Sequence, residues 1–79
     1  MKSIIIDILT DIRPEFDFKQ GNINFIEEGM LDSFDVIGLV TALDEKFGIS
    51  IDGVDILPEN FSSVENIVNL LKKNGVSEQ

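Results

Sequence analysis

Cysteine and histidine are missing from this chain, tryptophan and tyrosine are missing too, and only six of its 79 residues are basic. Each absence excludes something. Without cysteine there is neither a disulfide framework nor a thiolate metal site. Without histidine, the usual base for activating a serine nucleophile is gone, and a lysine substitute would have to be Lys46 or one from the remote ends. Apolar runs are far too short to cross a bilayer. The opening "MKSIIIDILTD" is interrupted by Asp7 and Asp11, where a secretory signal would stay apolar, so a cytoplasmic protein is expected. The length suits one small domain, 1–79, that buries only about 60–65% of its unfolded surface.

What is present is an aliphatic core composition, 43% hydrophobic, under a net charge of −9. That charge is unevenly spread. Residues 27–59 hold Glu27, Glu28, Asp32, Asp35, Asp44, Glu45, Asp52, Asp55 and Glu59 against Lys46 alone, while both flanks are close to balanced. Such a field repels nucleic acid and anionic lipid and attracts basic protein surfaces. Its concentration predicts a partner-facing patch.

Ile5, Ile8, Leu9 and Ile12 fall at i, i+3, i+4 and i+7, which predicts a first helix over about 2–13, stopped by Pro14. No period holds from 14 to 32. A loop of that length in so small a domain needs pinning, and Phe16, Phe18, Phe25 and Met30 are the candidate pins. A second helix is expected over about 33–47, with Asp32 as its cap, Asp35 in the first turn and Gly48 at its end. Val36, Leu39, Val40, Leu43 and Phe47 share its core face. Phe34, Gly38, Thr41 and Glu45 lie opposite, with Ile37 at the edge, an apolar patch ringed by acids. A short third helix is expected over about 53–57, between Gly53 and Pro58. The last helix is expected over about 63–74, opened by a Ser62–Glu65 capping box, with Val64, Ile67, Val68 and Leu71 as its stripe and Lys72 and Lys73 at its end. Strand alternation is nowhere sustained. The fold class expected is all-α: a small bundle of three main helices plus one short one, with a long first loop.

Independent catalysis fits poorly. Paired carboxylates are plentiful, but a hydrolase also needs a cleft, which a bundle this small hardly provides. The acids of "SIDGVDILPEN" miss the EF-hand spacing, and no glycine-rich phosphate loop occurs, so neither a metal nor a nucleotide site is expected. Ser33 is the residue left over. Since Asp32 already supplies a cap, the Ser33 hydroxyl is free to face solvent at a helix N-terminus, a position that favours an attached phosphate. The residues alone leave a plain capping serine, a phosphorylated serine and a phosphodiester-modified serine all open.

"LDSFDVIGLVTALDEKFGISI" resembles the helix II signature of the phosphopantetheine-dependent acyl carrier proteins, and "LPENFSSVENIVNLL" is similar to that family's run into its last helix. With the first helix and long loop, the resemblance covers essentially the whole chain. It implies that Ser33 receives 4′-phosphopantetheine from coenzyme A through a phosphodiester, with Asp32 as the adjacent motif residue assisting the transferase's metal-bound site. It implies partner contacts at Phe34, Asp35, Ile37, Gly38, Thr41, Asp44, Glu45 and Ile56. The partners so implied are a phosphopantetheinyl transferase, an acyl- or aminoacyl-loading ligase or acyltransferase, and a downstream synthase or transferase with a basic docking surface. No nucleic acid or membrane insertion is implied, and a monomer is expected. Phe34 in place of the commoner Leu is similar to D-alanyl carrier proteins. Gly38 and Thr41 stand where the fatty-acid type often has an acid and Met. These departures point to a free-standing specialised carrier of an acyl or aminoacyl thioester. The competing expectation is an acidic helical interaction domain with Ser33 as a cap and no prosthetic group.

Overall fold

A computed structural model describes residues 1–77 of the chain. Helix α1 spans Lys2–Ile12, α2 spans Ser33–Phe47 and α3 spans Val64–Lys73, with two 3-10 turns, Gly53–Asp55 and Pro58–Phe61, between α2 and α3. The fold is all-α, as the apolar periodicity predicts, and no strand occurs among the described residues. Helix α1 packs against both α2 and α3, and the second 3-10 turn packs against α2 and α3.

Helix α1 buries Ile5 and Leu9 completely, with Ile8 and Ile12 half-buried beside them. It stops because the residue before a proline is driven out of the helical region. Arg13 takes φ −133° and ψ 78°, and its N–H closes the last turn on the Leu9 carbonyl at 2.9 Å. This local rule has a distant consequence, because it projects the Arg13 side chain towards the start of α2.

The connection from Pro14 to Asp32 is held from within. Phe16, Phe18 and Phe25 form a chain of edge-to-face rings, with centroids 6.4 and 5.0 Å apart. Phe18, Phe25 and Met30 are buried as expected, and Phe16 is half-buried. The Phe25 backbone is fixed on both sides: its N–H donates to the Ser62 carbonyl at 2.7 Å, and its carbonyl accepts from the N–H groups of Met30 and Leu31. A long loop that lacks regular structure is thus anchored by apolar burial and satisfied main-chain groups.

Helix α2 buries Val36, Leu39, Val40 and Leu43, while Phe47 is half-buried at its end. Gly48 closes it in the left-handed region, φ 64° and ψ 39°, where the missing Cβ removes the usual steric cost.

Two expectations need correction beyond α2. The short third helix over 53–57 is a 3-10 turn of only Gly53–Asp55, and a second turn starts at Pro58. Proline ends one element and begins the next here, since a first helical position has no N–H to lose. The cap of α3 also lies one residue later than expected, and it is a single serine cap, not a reciprocal box. Ser62 keeps a helical backbone, φ −80° and ψ −15°, because it continues from the fully buried Phe61. Its hydroxyl is buried and donates to the Glu59 carbonyl at 2.9 Å. Ser63 is the extended residue, φ −153° and ψ 162°, and its Oγ accepts from the Asn66 N–H at 3.1 Å. Leu70 joins Ile67, Val68 and Leu71 in the core. At the far end Lys73 donates to the largely buried Asp55 carboxylate at 2.6 Å, tying α3 to the first 3-10 turn.

This register sets a test. Ser63→Ala removes the cap and is expected to cost about 1 kcal/mol in urea unfolding, whereas Glu65→Ala, on an exposed side chain, stays within about 0.5 kcal/mol. The reverse order restores the Ser62–Glu65 box.

Candidate functional site

Ser33 is the first residue of α2, exposed, and among the described residues its hydroxyl has no hydrogen-bonding partner. Its position is set by the two aspartates around it. The Asp32 carboxylate accepts from the Asp35 N–H at 2.9 Å, and the Asp35 carboxylate accepts from the Asp32 N–H at 3.0 Å. This reciprocal box satisfies main-chain donors that a helix start otherwise leaves to water, and it needs nothing from the serine between.

Arg13 encloses the box from outside. Its Nε donates to Asp35 at 2.8 Å, Nη2 to Asp32 at 3.3 Å and Nη1 to Glu15 at 3.3 Å. One guanidinium therefore meets three carboxylates. The Asp35 side chain is only 13% exposed, against 57% for Asp32. Two pKa consequences follow. The hydrogen bond from the Asp35 N–H is the largest cause and holds the Asp32 carboxyl below its usual range; desolvation opposes it, and the Arg13 charge adds a lesser lowering. The Arg13 guanidinium is held more firmly charged, first through its hydrogen bond to Asp35.

The expected partner surface divides on inspection. Phe34 and Ile37 are 82% and 61% exposed, and Gly38, Thr41 and Glu45 are exposed with them, so the solvent-facing side of α2 matches the sequence pattern. Asp35 differs: its carboxylate points into the Arg13 network rather than outwards. Asp44 is half-buried and accepts from the Ile51 N–H at 3.0 Å. Ile56 packs partly against the core. Two exposed apolar residues were not anticipated, Val54 and Leu57. They lie in a segment too short for any periodicity to tell an inner from an outer face. Gly38 has room to spare, since a Cβ built there meets nothing within 4 Å. Nothing in the fold requires glycine at that position.

Arg13 itself was missed. The signal was its place immediately before Pro14, but only the folded chain brings residue 13 to residues 32 and 35. Among the described residues no group of three or more acids, histidines or cysteines is placed to hold a metal ion, and no helix is long and apolar enough to cross a membrane. The site consists of an accessible primary hydroxyl on a helix started by a complete capping box. It fits a group joined through a serine ester, because the hydroxyl is free, exposed and surrounded by open solvent.

The lowered Asp32 titration predicts an acid dependence. Its contribution to stability is complete above the unfolded carboxyl range, about pH 3.9, and is lost as pH falls through the lower folded value. Asn is nearly as good a cap, so Asp32→Asn is expected to keep most of the stability at pH 7 and to show a shallower decline on acidification. Urea unfolding of both chains across the acid range provides the comparison, and parallel curves refute the linkage.

Residues 3–71 match the family described as the phosphopantetheine attachment site. The D-alanyl carrier protein of Bacillus velezensis is 32% identical over 71 residues, covering 89% of this chain and 91% of that protein. The D-alanyl carrier proteins of Bacillus subtilis and Staphylococcus xylosus are 29% and 26% identical, covering 91% and 87% of this chain and 94% and 90% of those proteins. The chain therefore belongs to the acyl carrier protein family, whose members are non-catalytic carriers with covalently attached 4′-phosphopantetheine.

Proposed function

We propose that Ser33 is the attachment point of 4′-phosphopantetheine and that the arm carries an aminoacyl group, D-alanine or a similarly small amino acid, as a thioester. The observation that carries this reading is the exposed, unpartnered Ser33 hydroxyl at the start of a helix capped independently of it. The D-alanyl relatives and the Phe34 that follows the serine support the choice of cargo.

Attachment forms a bond from Ser33 Oγ to the pantetheine-side phosphorus of coenzyme A. It breaks that phosphorus's bond to the adenosine bisphosphate and hands the hydroxyl proton to the transferase. The helix N-terminus favours the resulting anion through its exposed N–H groups and positive dipole end. Asp32 and Asp35 oppose it, but both already share the Arg13 charge. The arm supplies the thiol that a cysteine-free chain lacks.

Three kinds of partner follow: a phosphopantetheinyl transferase, a ligase that activates the amino acid, and an acceptor enzyme that removes it. They meet the chain on the exposed side of α2, at Phe34, Ile37, Gly38, Thr41 and Glu45, with Asp44 and Ile56 at the margin and Asp35 withdrawn. A chain of net charge −9 suits basic docking faces and brief, salt-sensitive encounters. ATP and coenzyme A are cytoplasmic, so the work is assigned there.

Coenzyme A and a promiscuous phosphopantetheinyl transferase are expected to add one arm to the wild-type chain and none to Ser33→Ala, as read by intact mass spectrometry. An unmodified wild type, under conditions that load a control carrier, sinks the proposal. The loaded chain is then offered D-alanine, other amino acids and short fatty acids with matching adenylating ligases, and D-alanine is expected to give the fastest thioester formation. Phe34→Ala is expected to slow ligase turnover severalfold while changing stability by less than about 0.5 kcal/mol, as befits an exposed side chain. Equal losses in both would place Phe34 among the structural residues.

A further inference from the structure

We infer that Arg13 is a positioning residue for the loading of Ser33: its guanidinium clasps the two aspartates that flank the serine and holds the start of α2 in the geometry that turns the hydroxyl outwards. This inference rests on the reading of Ser33 as the attachment point. Arg13 is the sole arginine of the chain, and Pro14 fixes its backbone outside the helix that precedes it. From there it reaches across to residues 32 and 35, the N-cap and third position of α2.

The chemistry of the contact is specific. Three nitrogens engage three carboxylates, and the shortest contact, 2.8 Å, is to the aspartate that is nearly buried. A lysine ammonium cannot reproduce that fork. Without Arg13, the Asp35 carboxylate keeps only the Asp32 N–H as its partner. A carboxylate in that position gains by turning out to water, and half of the capping box goes with it. The serine then begins a frayed helix instead of a fixed one.

Charge points the same way. Between residues 27 and 59 the chain has nine acids and Lys46 alone, so the positive charge that faces Asp32 and Asp35 comes from outside that stretch. An incoming phosphodiester is a further anion beside two carboxylates. The guanidinium that holds them in place also offsets them.

The experiment compares wild type, Arg13→Ala and Arg13→Lys as substrates of one phosphopantetheinyl transferase with coenzyme A, at a temperature where circular dichroism shows all three folded. Arg13→Ala is expected to lower kcat on the order of tenfold, a part of the roughly hundredfold loss that a full 1 Å misplacement of a reacting group can cause. Its KM is expected to stay level or fall, since removing a cation makes the chain more attractive to a basic enzyme. Arg13→Lys keeps the charge without the fork and is expected to recover only part of kcat. Amide hydrogen exchange supplies a readout independent of loading: the Asp35 N–H is expected to exchange about tenfold faster in Arg13→Ala, with Leu39 and Leu43 in mid-helix unchanged. A wild type that takes no arm refutes the Ser33 reading and this inference together. A loaded wild type with unchanged kcat in Arg13→Ala refutes the role of Arg13 alone, and so does full recovery in Arg13→Lys. If Arg13→Ala loses its helices, Arg13→Lys decides: a lower kcat with the fold intact supports the fork, and equality refutes it.

Discussion

The pair of hydrogen bonds exchanged between Asp32 and Asp35 is the constraint from which the rest of the site follows. It fixes the residue at which α2 begins, and the start of a helix fixes the direction of every side chain along it. With residue 33 as the first of the helix, Val36, Leu39, Val40 and Leu43 turn inwards, and Phe34, Ile37 and Gly38 turn out. A start displaced by one residue would rotate the whole set by roughly 100°, one residue's turn of the helix. The hydroxyl can remain idle only because two neighbouring carboxylates do the work that a helix-opening serine usually does.

The acidic composition makes this arrangement harder to keep and also useful. Like charges crowded into the middle of the chain repel one another, and the fold relieves that at chosen points. Arg13 gathers three carboxylates at one end of α2, Lys73 meets Asp55 near the end of α3, and Asp44 is turned to a backbone N–H. What remains open to solvent is a selection from the acids, Glu45 among them. The acidity open to solvent is therefore less than composition alone suggests, and it shares the outer side of α2 with two exposed apolar residues, Phe34 and Ile37.

Much of this was legible in the sequence where the physics is local. The periodicity of α1 and α2, the Asp32 cap, the Gly48 terminus and the phenylalanine pins depend on residues a few positions apart, and each lies where the pattern put it. Local signals that compete were harder to read. Ser62 and Ser63 are equally good caps by type, and burial of Phe61 decides between them by drawing Ser62 inwards. Residues 53–61 are too short for a period to emerge, so neither the second 3-10 turn nor the exposure of Val54 and Leu57 was visible. The grip of Arg13 on Asp32 and Asp35 was invisible for another reason. It joins residues some twenty positions apart, brought together only when α1 packs on α2.

Gly38 has the last consequence. A bare stretch of backbone sits in the middle of the outward side of α2, facing empty space, with no strain and no neighbour to require it. Glycine there weakens the helix relative to alanine, and an added Cβ would touch nothing in the core. A side chain placed there would firm the helix and reshape its outward contour together, so evolution or an engineer can redraw that side by a single codon without crowding the packing underneath.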